Sequence, residues 1–383
     1  MQAKKSQISD PTSLTNVVLS SDRVVAEISL SQIKKNFKSL SQFVGNKSVI
    51  PMVKANAYGH GMTDVSRALV DEPGLFALGV ASFDEAMTLR QSGIQTDDSS
   101  IIIFSNVTGI SVDLIQLCDQ HKFIPVISNL DDLKSIIRSS AQVPYHLKFN
   151  TGMNRLGIGM KDLETALKLI KESDALPQGV LTHLATSENP KHPLSKTQKE
   201  HWIHLRQTFK NLSPRILTHF ANSGAIMEKK FWETETLTDI IRPGISLYGI
   251  QPKPGKPSKK CDIEPALKLK SKVLTSRQLK AKDCVGYGAT YQAKKSHPMA
   301  VIASGYADGV HRILSRNEYS GLKILGTISM DMIAIQTQTL LKPGTWVEIL
   351  GKNTDWWQEA QKASTIPYEI LTSLSGRVKR IYV

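Results

Sequence analysis

The sequence predicts an α/β barrel followed by a mostly β domain. Three observations carry that expectation. Eight short apolar runs recur between residues 48 and 249, and amphipathic stretches separate them. After the Pro/Gly/Lys-rich segment KPGKPSKK (253–260) the pattern changes to alternating runs punctuated by glycine.

Taken in order, residues 1–22 are polar and read as a tail, and RVVAEISL (23–30) reads as a strand whose pairing partner the sequence leaves open. The runs that follow are SVIPMVK (48–54), LFALGV (75–80), SIIIFS (100–105), FIPVIS (123–128), YHLKFN (145–150), GVLTHL (179–184), RILTHF (215–220) and DIIRPGISLYG (239–249). Strands covered on both faces are near-continuously apolar in this way. DEAMTLRQSG (84–93), KDLETALKLIKES (161–173) and KTQKEHWIHLRQTFKNL (196–212) carry helical periodicity between them. Eight such βα units have the dimensions of a (β/α)8 barrel, and an open doubly wound sheet is the runner-up. The expected organisation is a tail (1–22), a TIM-like barrel (23–251), a linker (252–262) and a β-strand domain (263–383).

Composition narrows the function. At 383 residues the chain exceeds the size of one ordinary core, which favours two domains. The net charge of +14 suits an anionic ligand. The lysines are dispersed and no nucleic-acid motif accompanies them, so no nucleic-acid partner is expected. Cys118, Cys261 and Cys284 are scattered, without the spacing of a disulfide framework or a metal site. Neither a signal-peptide core nor a run of about 20 apolar residues is present, so the expectation is a cytoplasmic protein without a membrane partner.

Barrels keep their chemistry at the C-terminal ends of their strands, with a phosphate commonly held after strands seven and eight. Lys54 ends the first strand. Lys148 ends the fifth, with Arg155 just beyond in NTGMNRLG, and His183 ends the sixth. His219 ends the seventh and leads into Ala221, Asn222, Ser223 and Gly224; the eighth carries Arg242, Gly244, Ile245 and Ser246. The ANSG and RPGIS turns offer backbone N–H groups to a phosphate. A phosphate turn together with one strand-end lysine points to pyridoxal phosphate, whose aldehyde forms a Schiff base with lysine. A single strand-end lysine is more often a surface residue, and a single histidine more often a satisfied core group. The placement of several such groups on strand tips at once favours the functional reading.

PMVKANAYGHG closely resembles the cofactor-lysine motif of the alanine racemase family. NTGMNRLG, LTHLATSE, HFANSGA, IRPGISLYG, VGYGATY, SGYADG, TISMDM and PYEI follow in family order. The resemblance implies a fold-type III enzyme that interconverts L- and D-alanine with pyridoxal 5'-phosphate and supplies D-alanine for peptidoglycan. By the same resemblance Lys54 binds the cofactor and is the base on the D-side, while Tyr287 is the base on the L-side, reaching in from the other subunit of a homodimer with composite sites. Tyr58, Asn222, Ser223, Gly244, Ile245 and Tyr368 surround the phosphate. Arg242 partners the pyridine nitrogen; His183 is among the cofactor-binding residues and, with Arg155, a source of positive charge near Tyr287, while His219 is a supporting residue. Arg155 takes the substrate carboxylate, Met330 and Asp331 line the pocket, and Tyr306 guards its entrance. Lys148 matches a lysine that is carbamylated in many members. Asn150 stands where many relatives carry aspartate. The alternative within the same architecture is a broad-specificity amino-acid racemase. A decarboxylase fits less well, because those enzymes set an acid where Arg242 stands, and a cofactor-carrying barrel without catalysis would lack the β domain.

Overall fold

The computed structural model describes residues 22–94, 100–105, 109–139, 141–255 and 261–383. All but the last residue of the expected tail, and residues 256–260 of the expected linker, lie outside the described residues. The chain forms two compact units, one spanning Ser29–Ala266 and the other joining the residues up to Ile28 to Leu267–Val383. The first strand, β1 (Val24–Ile28), therefore lies in the second unit rather than at the head of the barrel domain.

In the unit Ser29–Ala266 the barrel strands are β2 (Ser48–Val49), β3 (Ala77–Val80), β4 (Ser100–Ile103), β5 (Phe123–Ile127), β6 (His146–Asn150), β7 (Gly179–Leu181), β8 (Leu217–His219) and β9 (Ile240–Ile241). Strands β3 to β8 form one parallel ladder in chain order. Strand β9 pairs in parallel with β2, Ile240 opposite Ser48. Backbone bonds close the remaining gaps. Phe76 N–H donates to Val49 O over 2.9 Å and Gly79 N–H to Pro51 O over 3.0 Å; Asp239 N–H donates to Thr218 O over 2.7 Å and Arg242 N–H to Ala221 O over 2.8 Å. The eight runs read from the sequence are thus the eight strands of a closed barrel, and the runner-up open sheet is excluded.

The barrel's helices include α1 (Leu30–Phe43), α2 (Met62–Leu69), α3 (Phe83–Gln91), α4 (Val112–His121), α5 (Leu130–Arg138), α6 (Leu163–Ser173), α7 (Pro193–Leu212) and the short α8 (Ser223–Met227). Helix α6 shows why they form: Leu163, Ala166, Leu167 and Ile170 recur at helical spacing and are buried. Side chains of Ser29, Ser82, Ser111 and Asn129 cap α1, α3, α4 and α5 by accepting an N–H from the first turn. Strands β3 and β5 are buried at every residue, as parallel strands under helices require.

The other unit is built on β10 (Leu267–Leu279), β11 (His297–Ile302), β12 (Ile333–Gln336), β13 (Trp346–Leu350) and β14 (Lys379–Tyr382). Its sheet runs β12-β11-β10-β1-β14, with β13 also on β10. Along β10, Leu267, Leu269, Ser271 and Val273 are buried and alternate with more exposed residues, among them lysines. That two-residue period is the mark of a sheet with one wet face. β1 runs antiparallel to β10 with Val24 opposite Ser271, and parallel to β14.

Candidate active site

Lys54 lies two residues beyond the Met52–Gly79 bridge, which joins the chain just after β2 to β3, and a left-handed turn follows it. Ala55, Asn56, Ala57 and Tyr58 all have φ between 51° and 53°. An L-residue in this conformation costs about 1–2 kcal/mol, so surrounding bonds must hold the turn. Ala55 N–H donates to Glu85 Oε1 over 2.7 Å, Met62 N–H to Asn56 Oδ1 over 2.8 Å, and Gly61 N–H to Asn56 O over 2.9 Å. Glu85 follows the Ser82 cap by three residues, the spacing of a capping box, in which the acid would return to the cap's own N–H. Its Oε2 accepts instead from Ala81 N–H over 2.7 Å, so one carboxylate ties the end of β3 to the Lys54 turn. Tyr58 and His60 both stack on the buried Tyr248, which donates to Met52 O over 2.8 Å.

After β8 and β9 the chain makes a tight cradle. Ser223 Oγ accepts from Gly244 N–H (3.0 Å) and Ser246 N–H (3.2 Å), and Asn222 Oδ1 accepts from Ala225 N–H (3.1 Å). A Cβ at position 244 would fall 2.5 Å from the Tyr58 hydroxyl oxygen, so glycine admits Tyr58 to this corner. Tyr58, Asn222, Ser223, Gly244 and Ile245 are therefore gathered at one place.

Arg242 is buried. Its Nη1 donates to His219 Nδ1 (2.8 Å) and His219 O (2.7 Å), and its Nη2 to Thr182 O (2.8 Å) and Phe220 O (3.2 Å). Burial draws its pKa down to about 9. Lys148 is buried on β6; burial, then Arg242, Arg155 and Lys54, lower its pKa to about 8. Burial and Arg155 lower the pKa of Lys54, while Glu85 partly opposes them. His183 is held well below its usual range by burial and by Arg242, Arg155, Lys148 and Lys54. At the C-terminal ends of the strands Arg242, Arg155 and Lys54 thus act on Lys148 and His183, while Glu85 offsets the depression of Lys54.

Arg155 is exposed on the loop after β6. Asn150 shapes that loop: its Oδ1 accepts from Gly152 N–H (3.1 Å) and Asn154 N–H (3.0 Å), and its amide donates to Asn154 Oδ1 (2.9 Å). Gln198 of α7, which the sequence did not single out, donates to Thr151 Oγ1 (3.0 Å) and His183 O (3.1 Å) and accepts from Ala185 N–H (2.9 Å). It clamps the Arg155 and His183 loops together.

The remaining candidates lie in the β unit. Tyr287 is 75% exposed, at the edge of a cleft of about 520 Å³ also lined by Arg277, Cys284, Leu325, Thr327 and Met332. Tyr306 N–H donates to Ser329 O and Ala307 N–H to Met330 O, each over 3.1 Å, which brings Tyr306 and Met330 together. Arg377 holds Asp331 at 2.7 Å and Asp308 at 3.4 Å. Tyr368 is half-buried on the helix Pro367–Thr372. Arg377, Asp308, Glu85 and Gln198 are the supporting residues that the sequence reading missed. Only Glu85 carried a local signal, the S-x-x-E spacing.

A closed barrel with a lysine at one strand tip, a cation-rich floor and a small-residue cradle after its last strands defines an anion-binding barrel enzyme, here followed by a β domain. Two family models match the chain, the alanine racemase N-terminal domain over residues 28–252 and the alanine racemase C-terminal domain over residues 266–382. The chain belongs to the alanine racemase family, pyridoxal-phosphate-dependent isomerases that interconvert L- and D-alanine. It is 33% identical to the alanine racemase of Carboxydothermus hydrogenoformans, covering 94% of this chain and 99% of that protein. The solved alanine racemase of Acinetobacter baumannii superposes with a TM-score of 0.83 at 30% identity, covering 94% of this chain and all of that one. The alanine racemase of Bartonella henselae, solved with covalently bound pyridoxal phosphate, gives a TM-score of 0.79 at 30% identity over 94% of this chain and 99% of its own.

Proposed function

We propose that the residues described above perform alanine racemisation in a cytoplasmic homodimer with composite active sites, making D-alanine for peptidoglycan. The carrying observation is the group Lys54, Lys148 and Arg242, each depressed first by burial, with Arg155 adding to the effect at Lys54 and Lys148, His183 beside them, and Glu85 offsetting it at Lys54. An uncompensated cluster of this kind calls for anionic ligands. Pyridoxal phosphate and an amino-acid carboxylate supply that charge.

The residues fit the cofactor. Tyr58, Asn222, Ser223, Gly244 and Ile245 would hold its phosphate, the glycine leaving room that a Cβ would close; the family resemblance alone adds Tyr368. Arg242 would face the ring nitrogen. Its four bonds all leave Nη1 and Nη2, so Nε–H is not used in that network. An arginine donates and does not give up its proton readily, so it leaves that nitrogen unprotonated. When bound, the cofactor supplies a conjugated ring that accepts the electron pair left at the substrate's α-carbon.

Lys54 would anchor the cofactor covalently, and its Nζ, freed when the substrate's amine takes its place, would move a proton on the D-side, a task eased by its lowered pKa. Tyr287 moves a proton at its phenolic oxygen on the opposite face. Its exposure beside an open cleft supports delivery to a second copy's site. Arg155 grips the carboxylate with its fork, beside His183. Met330 and Asp331 line the pocket, and Tyr306 narrows the entrance. Carbamylation of Lys148 would replace a repelled cation with an anion next to Arg155, and its lowered pKa makes the neutral amine available. His219 supports Arg242 directly. Cysteines 118, 261 and 284 are all free, which suits a reducing compartment. No helix among the described residues is long and apolar enough to cross a membrane.

The test is racemisation of L-alanine beside L-serine, L-lysine and L-arginine, with sedimentation analysis of the holoenzyme. Strong preference for alanine by a dimer supports the reading. Equal rates on the basic substrates would move the chain to broad specificity, and an active monomer would remove the composite site.

A further inference from the structure

We infer that His146 is a positioning residue for Arg242, acting through the imidazole of His219. The inference rests on the reading of Arg242 as the group facing the cofactor's ring nitrogen. It begins from hydrogen-bond direction. Guanidinium has donors only, so the 2.8 Å bond from Arg242 Nη1 makes His219 Nδ1 an acceptor. The ring proton of neutral His219 then sits on Nε2, which is 2.8 Å from His146 Nδ1. His146 Nδ1 must accept, and the His146 proton is left on Nε2. Gln178 is the side chain that favours a proton on His146, although His146 Nε2 and Gln178 Oε1, both buried, make no hydrogen bond within normal distance among the described residues.

Both rings are fully buried. Burial, with Arg242 nearby, depresses His146 to about 3 and His219 well below its usual range, so both stay neutral at ordinary pH. The relay thus has one polarity: Arg242 to His219 to His146.

The barrel is shaped for this pair. His146 comes from β6 and His219 from β8, and β7 runs between them. Gly179 of β7 is the register partner of His146. A Cβ there would fall 2.8–2.9 Å from three atoms of the His146 ring, so no side chain fits. Phe76 packs tilted against that ring, its centroid 5.8 Å away. The two imidazoles meet edge to face at 4.9 Å. Without His146 the buried His219 Nε2–H has no acceptor in this network, and an orphaned donor drives its ring to move. Arg242 would then lose the contact that fixes Nη1.

The test uses holoenzyme carrying ring-¹⁵N histidine, with two-bond ¹H–¹⁵N spectra recorded between about pH 6 and 8, and kcat and KM in parallel. Two rings should be neutral, protonated on Nε2 and unresponsive to pH; one vanishes in His146→Gln and identifies itself. His146→Leu should scatter the His219 signature and lower kcat about tenfold, the scale seen when a supporting partner of a site group is lost. His146→Gln, whose carboxamide oxygen can accept from Nε2–H, should restore both. If His146→Leu does not fold, His146→Asn takes its place, since its shorter amide falls short of His219. A wild-type His219 protonated on Nδ1 overturns the proposal, as does a folded Leu or Asn variant with full kcat and an unchanged His219 signal. Absence of racemisation in the wild type would instead overturn the functional reading, because the ring tautomers are read independently of it.

Discussion

The Arg242 guanidinium donates to His219 Nδ1 over 2.8 Å and, though buried, has no carboxylate within ion-pair distance among the described residues. Its two terminal nitrogens satisfy one imidazole nitrogen and three strand-end carbonyls. Lysine cannot replace this fork, because one ammonium cannot span those acceptors. Arg242→Lys should lower stability by about 1–3 kcal/mol through orphaned acceptors, read by urea denaturation, and should lower kcat as well. Unchanged stability would show that the four bonds carry no weight.

Much of this site was legible because parallel barrel strands announce themselves. FIPVI and ALGV are buried throughout and read as strands without help from anywhere else. DIIRPGISLYG was legible only in part: the strand is confined to Ile240–Ile241, and Ile245–Tyr248 form a 3-10 turn. Local apolarity does not distinguish the two. β1 could not be assigned from sequence because its partner strand begins at Leu267, far along the chain. The pattern of RVVAEISL suits either neighbour.

Lys54 and Tyr287 make separable predictions. Lys54→Ala should abolish covalent retention of the cofactor, so its visible absorption is lost on dialysis; a band that survives would contradict the anchor role. Tyr287→Phe should keep the band and lose about 10²–10⁴ in racemisation, the range for a missing general acid–base. Exchange of the α-proton of D-alanine with deuterated solvent should continue, since Lys54 serves that side, while exchange of L-alanine should fall. Equal loss on both enantiomers would sink the two-base assignment.

Lys148 gives the pH dependence. Its folded pKa of about 8 lies below the ordinary 10.5 because of burial and of the cations Arg242, Arg155 and Lys54. A lysine with a depressed folded pKa penalises the fold as pH falls from 10.5 towards 8, and the full penalty is present below 8. Raising the pH through that window relieves it. A carbamate removes the penalty at every pH above its own decomposition. ¹³C-labelled CO2 should therefore give a carbamate resonance in the wild type that Lys148→Ala lacks. CO2-depleted wild type should lose stability relative to CO2-saturated protein most clearly below about pH 8, where the free amine is charged. Identical melting with and without CO2 at pH 7 would count against the modification.

The turn after Lys54 was the least legible element, since Ala55, Asn56, Ala57 and Tyr58 contain no glycine to signal left-handed backbone. Bonds from outside the turn impose it, chiefly the one Ala55 N–H donates to Glu85 Oε1. Ala55 has φ 51° and ψ 52°, and its side chain is exposed, so glycine there should lose no packing. The bond to Glu85 uses the backbone and survives the change. Glycine also gains freedom in the unfolded chain, which offsets part of the relief. Strain at an L-residue in this region is about 1–2 kcal/mol, so Ala55→Gly should stabilise the fold by up to about 1 kcal/mol. Chemical denaturation measures the sign directly. A destabilised variant would mean that the strain is carried by Asn56, Ala57 and Tyr58, with Ala55 already relaxed.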